Sequence, residues 1–403
     1  MKLLVIGYDG GDSRVIEGMK TSFFSERFAQ DISHQTNEDM WSRGWVEMMT
    51  GLHGRETLAF NELPLLDGSH KFTLSYSWKQ MLDNPDARPI WDMLNERGVR
   101  TGFMNVPTTS PAPKNDGFFV SGSGGGINAV FGVPREMCDS DETAAFLNKH
   151  GYIVDIRRTS SDYNDLEEFF TGLEKMVSVR GKCFVELCKE RKVDFGFLAF
   201  RAHVEVQNFA MYEVQQALES IRKEGGDSEG EEGLVQKLVK RFYRHCDRVK
   251  REIVEALEPE HVIYTGDHGG EVYKYQANAD VFLEKHGFRK GSAVGQSAKK
   301  ATGALMSSGI GKWVRGIVKK MPRSLKDRAQ GTSWSGTKAF GNHYIPGIYL
   351  NDSRFNGPVD DSERDALVDE ICRLFNADSE AKKHEMTARP YRREHAQAHF
   401  NNA

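Results

Sequence analysis

Five short runs of consecutive apolar or β-favouring residues punctuate the chain: Leu3–Ile6, Thr101–Val106, Phe118–Ser121, Phe195–Phe200 and Val262–Thr265. Each is too short for a buried helix and is followed by a turn or by helical spacing, so each reads as a strand. Strands alternating with helices predict an α/β fold, doubly wound, with a mostly parallel central sheet and helices on both faces. Function is then expected at the carboxyl ends of the strands. The helices are expected over Ile90 to Arg97, with Gly98 as the left-handed residue after the helix end, over Asp165 to Arg191, over Val204 to Lys223 and over Gly233 to Leu257. The Gly-, Glu- and Asp-rich stretch within 222–233 reads as a flexible loop. Residues 289–330 are rich in lysine and arginine, with Ile310, Trp313, Val314 and Ile317 interleaved. They read as a basic insertion that either packs its apolar residues over the sheet or forms an anion-attracting lid.

Composition narrows the class. With 39% hydrophobic residues among 403, the chain can bury a large core, which excludes disorder as its main state. A formal net charge of −4 gives no global reason to expect duplex nucleic acid or an anionic membrane as partner. The five cysteines are scattered and odd in number, which fits a reducing compartment better than a disulfide framework. The apolar start, Met1 to Gly7, is too short for a signal segment and reads as a buried strand, and no window has the length of a membrane span. The expectation is a soluble, cytoplasmic protein; the oligomeric state is left open.

Candidate chemistry sits where two of the strands end. Asp9 follows the first directly, within Tyr8-Asp9-Gly10-Gly11, and Gly266-Asp267-His268-Gly269-Gly270 follows the last. Adjacent Asp and His offer a hard oxygen and an imidazole nitrogen to a divalent cation, and the flanking glycines let the backbone come close. An Asp before two glycines also serves as a plain turn former, so the reading depends on the two strand ends converging.

Several further motifs come in a fixed order: Thr50-Gly51-Leu52-His53-Gly54, Pro89-Ile90-Trp91 to Gly98, Asn105-Val106-Pro107-Thr108-Thr109-Ser110-Pro111 and Asp116-Gly117-Phe118 to Gly122. Asp267-His268-Gly269, Asn278 to Gly287, Trp334 to Phe340 and Gly347 to Asn351 continue the series. Together with the first strand, these resemble the type I phosphodiesterase and nucleotide pyrophosphatase branch of the alkaline phosphatase superfamily, over nearly the whole chain. The resemblance implies a single domain over 1–403 with inserted cap or lid segments, 122–180 among them. It also implies two divalent ions, usually zinc, which departures elsewhere in the motifs reduce to an expectation of one or two, and a hydroxyl nucleophile that attacks phosphorus. Asp9, Asp267 and His268 match the ligands of the nucleophile-side ion.

Elsewhere the motifs depart from the pattern. The position nine residues before Thr50, where relatives carry the nucleophile, is Trp41; the neighbouring Ser42 becomes the candidate, with capping of the following helix as its alternative role. Ungapped matching of the second-ion motif falls on Val204 and Asn208, and a shift of one residue falls on His203 and Gln207. His203 is the candidate ligand there, and His343 is the candidate from the C-terminal region. Arg201 could grip a phosphate oxygen or form an ordinary salt bridge. The resulting expectation is a metal-dependent hydrolase of a phosphodiester or phosphoanhydride, a nucleotide among the candidate substrates. A catalytically degenerate binding protein, or a sulfate or phosphonate hydrolase on the same scaffold, is the alternative.

Overall fold

In the computed structural model the described residues are 1–11, 13–19, 43–60, 64–72, 78–79, 84–122, 132–156, 166–224, 233–272, 274–290, 334–342 and 347–391. Of the flexible loop expected over 222–233, residues 222–224 instead end the helix Ala202–Glu224 and Gly233 caps the next helix, while 225–232 lie outside the described residues, as do nearly all of the basic insertion and parts of the cap insertion. Two compact units form: Met1–Asn61 with Leu74–Val272, and Glu62–Thr73 with Tyr273–Ala403.

The first unit is built on a five-stranded sheet. Its strands are β1 (Leu3–Tyr8), β2 (Thr101–Val106), β3 (Gly117–Ser121), β4 (Phe195–Phe200) and β5 (His261–Gly266), in the spatial order β3-β2-β4-β1-β5. All four pairings are parallel. The five apolar runs are therefore the five strands, each displaced by no more than two residues at either end.

Consecutive apolar residues in a strand point to opposite faces, so a strand without polar positions needs a cover on each side. Leu4, Ile6 and Tyr8 enter one core with Met104, Phe118, Val120, Leu198 and Phe200. Helices α5 (Leu166–Glu190), α6 (Ala202–Glu224) and α7 (Leu234–Leu257) cover that face; they follow α1 (Ser13–Gly18), α2 (Gly44–Thr50), α3 (Ile90–Asn95) and α4 (Asp141–Lys149) in the chain. Val5, Phe103, Phe119, Phe197 and Ala199 face the other way, against Trp45, Val46 and Met49 of α2 and Trp91 of α3. The sheet is thus doubly wound. Strand β5 departs from the two-sided burial that its sequence suggested: it lies at the edge, and Ile263 is 48% exposed while Val262 and Tyr264 pack inward.

Helix α3 ends as its sequence implies, with Gly98 at φ +72° and the Val99 N–H bonded to the Leu94 carbonyl. Helix α6 carries a kink at Ala210, where the backbone leaves helical values.

The second unit is smaller. Strands β6 (Ala339–Gly341) and β7 (Ile348–Leu350) pair antiparallel, and α8 (Ala279–Lys285) and α9 (Arg364–Ala377) bury Phe282, Leu283, Leu367 and Ile371 with Phe288 and Leu350. The segment 64–72 belongs here as well. Its His70 ring stacks on Trp334 at 3.6 Å and shares a 2.8 Å hydrogen bond between Nε2 and Asn351 Oδ1.

Among the described residues, no helix is long and apolar enough to cross a membrane.

Candidate metal centre

The register of the sheet aligns three strand ends. Tyr8 of β1 lies between Phe200 of β4 and Gly266 of β5, so the next residues, Asp9, Arg201 and Asp267, emerge side by side at the carboxyl edge. The Asp9 N–H continues the ladder by donating to the Phe200 carbonyl at 3.0 Å.

Gly10 then turns the chain. Its φ of +73° lies in the left-handed region that side chains other than glycine enter only with strain, and in that turn its N–H donates to Asp267 Oδ1 at 3.1 Å. From α6, Gln207 Nε2 donates to the Gly10 carbonyl at 2.7 Å, which holds the turn from the other side. Asp267 is held on its far side by α2. A Cβ on Gly44 would stand 2.3 Å from the Asp267 carbonyl oxygen, so only glycine permits this approach.

His268 completes the cluster. Its Nε2 lies 3.4 Å from Asp9 Oδ1 and 3.5 Å from Asp267 Oδ2. Asp9, Asp267 and His268 each place a ligating atom within 4.8 Å of the others, the one such group among the described residues. Both carboxylates are shielded, while the His268 side chain is 52% exposed and leaves the cluster open to solvent on its side.

The electrostatics are unfavourable without a positive charge at the centre. Burial, with the Asp9 charge next to it, pushes the Asp267 carboxyl up to about 7, against the opposing pull of His268 and the Gly10 N–H. Partial desolvation works against the His268 cation, but its hydrogen bond to Asp9 and the charge of Asp267 outweigh this and push it up to about 9. His268 Nδ1 lies 2.8 Å from the Gly269 carbonyl, which can only accept, so Nδ1 carries a proton. A neutral His268 therefore aims the Nε2 lone pair at the same point as two carboxylate oxygens. Three converging lone pairs need a proton or a cation between them, and a metal-bound imidazole is ordinarily oriented by a bond of this kind from its other nitrogen.

Arg201 extends the charge pattern on the opposite side of Asp9. Its Nε lies 3.5 Å from Asp9 Oδ2, and its Nη1 lies 2.9 Å from Asp155 Oδ2 and 2.5 Å from Glu205 Oε1. The guanidinium is thus enclosed by carboxylates rather than presented to solvent. Glu205 was legible in principle, since it lies four residues after Arg201, in the first turn of α6. Asp155 comes from an irregular stretch after α4. Buried Arg180 secures that stretch by donating to the Ile153 and Val154 carbonyls at 3.1 and 3.0 Å, and no local sequence signal marks it.

The other sequence candidates lie elsewhere. His203 is buried among Tyr8, Phe242 and Tyr243, with ring centroids 4.8, 5.6 and 5.6 Å away, and does not join the cluster. Burial and the neighbouring Lys250 charge push its imidazole down to about 3. Gln207 reaches Gly10 instead of an ion, Val204 is buried and Asn208 is exposed. Ser42 and His343 are outside the described residues. The cap position of α2 is taken by Arg43, which makes no side-chain capping bond.

No family model matches the chain, and no curated protein matches it. Among solved structures, a cold-active alkaline phosphatase from the psychrophile Shewanella sp. aligns over 93% of this chain and 84% of its own, at 10% identity and a TM-score of 0.27. That likeness is too slight to bear on fold or function.

Proposed function

We propose that the protein is a divalent-cation-dependent hydrolase of a phosphodiester or phosphoanhydride, with Asp9, Asp267 and His268 as the cation's ligands. One observation carries this reading: two carboxylate oxygens and an imidazole nitrogen converge at adjacent strand ends, each within 4.8 Å of the others. Two carboxylates and one imidazole with an open side suit zinc in a catalytic arrangement. When bound, such an ion polarises a phosphoryl oxygen and lowers the pKa of a nearby hydroxyl.

The residues of the chain supply the rest. Gly10 and Gln207 hold Asp9 in place, the Gly10 N–H orients Asp267, and the Gly269 carbonyl sets the His268 tautomer. Ser42 is the proposed nucleophile; Gly44, two residues after it, lies against the Asp267 carbonyl. The exposed face of His268 is the proposed entry for the substrate, and nucleotides are the first substrates to test.

The test combines ion counting with turnover of aryl phosphate monoesters, aryl phosphodiesters and nucleoside phosphoanhydrides. Asp267→Ala is expected to lose ion retention and hydrolysis together, and full activity in this variant refutes the assignment. Trp41 at the nucleophile position of relatives motivates a second reading, a binding protein on the same scaffold. An ion retained by wild type with no hydrolysis of any probe would favour it.

A further inference from the structure

We propose that Arg201 is a built-in cation: its guanidinium takes the side of Asp9 where a second metal ion would bind, and it limits the centre to one exchangeable ion. The inference rests on the preceding assignment of Asp9, Asp267 and His268 as ligands and extends it to the neighbouring charges.

Asp9 has two faces. Oδ1 is turned to His268 and the ligand cluster, and Oδ2 is turned to Arg201 Nε. Beyond Arg201 stand Asp155 and Glu205, both on Nη1. Without the guanidinium, three carboxylates from β1, α6 and the stretch after α4 would meet, all with side chains no more than 10% exposed. Such an arrangement of oxygen donors binds a hard cation or requires a fixed one. The chain provides the fixed one, in a planar form that cannot lose its proton and is only 14% exposed itself.

The charges agree with a single ion. Asp9, Asp155 and Glu205 bring three negative charges to the one positive charge of Arg201, and Asp267, beside His268, adds a fourth; with His268 neutral these groups sum to a formal charge of −3. One divalent ion among Asp9, Asp267 and His268 brings that to −1, whereas a second beside Arg201 would meet the guanidinium at contact distance. Arg201 Nη1 is engaged by two carboxylates and its Nε lies beside a third, that of Asp9. The arginine acts on chemistry through Asp9 and is a positioning residue.

Equilibrium dialysis of the full chain against Zn2+ or Mn2+, with bound ions counted by mass spectrometry, tests this. Wild type and Arg201→Lys are expected to hold one equivalent. Arg201→Gln, checked for folding by circular dichroism, is expected to hold two, with the first bound at least about tenfold more tightly because a neighbouring positive charge has gone. A merely structural arginine would loosen the site on replacement, so tightening and a second equivalent separate the two roles. A folded Arg201→Gln that still holds one equivalent, with unchanged or weaker affinity, overturns the proposal.

Two equivalents in wild type would also overturn it, with the first assignment left standing if Asp267→Ala removes one of them. No bound ion in wild type would overturn the ligand assignment itself, and the role of Arg201 with it. Should Arg201→Gln fail to fold, the wild-type count of one or two decides.

Discussion

Replacing His203 by phenylalanine asks whether a sequence-favoured ligand belongs to the core or to the site. The imidazole lies in a cage of Tyr8, Phe242 and Tyr243, beside Lys250, and titrates near 3 instead of at its ordinary value of 6.5. Between those values the unfolded chain binds a proton that the folded chain refuses, so stability contributed by the neutral ring is present above 6.5 and is lost as pH falls toward 3. The slope is about 1.4 kcal/mol per pH unit, which amounts to about 2 kcal/mol at pH 5. A phenyl ring of similar size has no proton to take up. His203→Phe should therefore sit within about 1.5 kcal/mol of wild type at pH 7.5, as volume-conserving core changes do, and gain about 2 kcal/mol relative to it at pH 5.

Urea unfolding at pH 7.5, 6 and 5, followed by tryptophan fluorescence, measures the difference, and dialysis against Zn2+ on the same preparations measures the ion. Zn2+ affinity should stay within about twofold of wild type, since the ring is packed in the aromatic core and not in the Asp9 cluster. Parallel pH profiles for the two proteins would refute the buried neutral imidazole. Loss of the ion on replacement would show that His203 is a ligand after all.

Two further outcomes follow from the site. Gly44→Ala places a Cβ 2.3 Å from the Asp267 carbonyl oxygen, so either α2 or the Asp267 turn must move; ion affinity should fall by at least about tenfold with a lower melting temperature, and unchanged values for both would refute the contact. Ion binding should strengthen as pH rises from 6 to 9. The ion displaces the proton that His268 holds up to about 9 and, below about 7, the one on Asp267, so affinity should change by about tenfold per pH unit for each proton displaced. Calorimetry in buffers of different ionisation enthalpy should find protons released on binding, and a flat affinity across that range would contradict the cluster's geometry. In the ion-free protein the signs run the other way. Both folded pKa values are raised, so these groups lose stability as pH rises, Asp267 from about 4 to 7 and His268 from about 6.5 to 9.

Element type was written locally in this chain. Runs such as Phe195–Phe200 have no polar position to turn toward water, and helices such as Leu234–Leu257 repeat their apolar residues at helical spacing, so both could be assigned without neighbours. For the same reason Asp9 and Asp267 stood out, each the first carboxylate after such a run. That they meet depends on β1 lying directly beside β5, and strand order is set by long-range packing that no local window contains. The candidates on α6 show the same division. The spacing of His203 and Gln207 placed them one turn apart, but docking of the helix on the sheet turned His203 into the aromatic core and sent Gln207 to the Gly10 carbonyl. Asp155 was invisible to local reading because it comes from an irregular stretch and acquires its role only where Arg201 meets it. By itself, then, the sequence determined the strands, the helices and the two acidic strand ends. The tertiary structure alone decided which charges share one buried space, because an ion pair needs only a few ångströms through space and any distance along the chain.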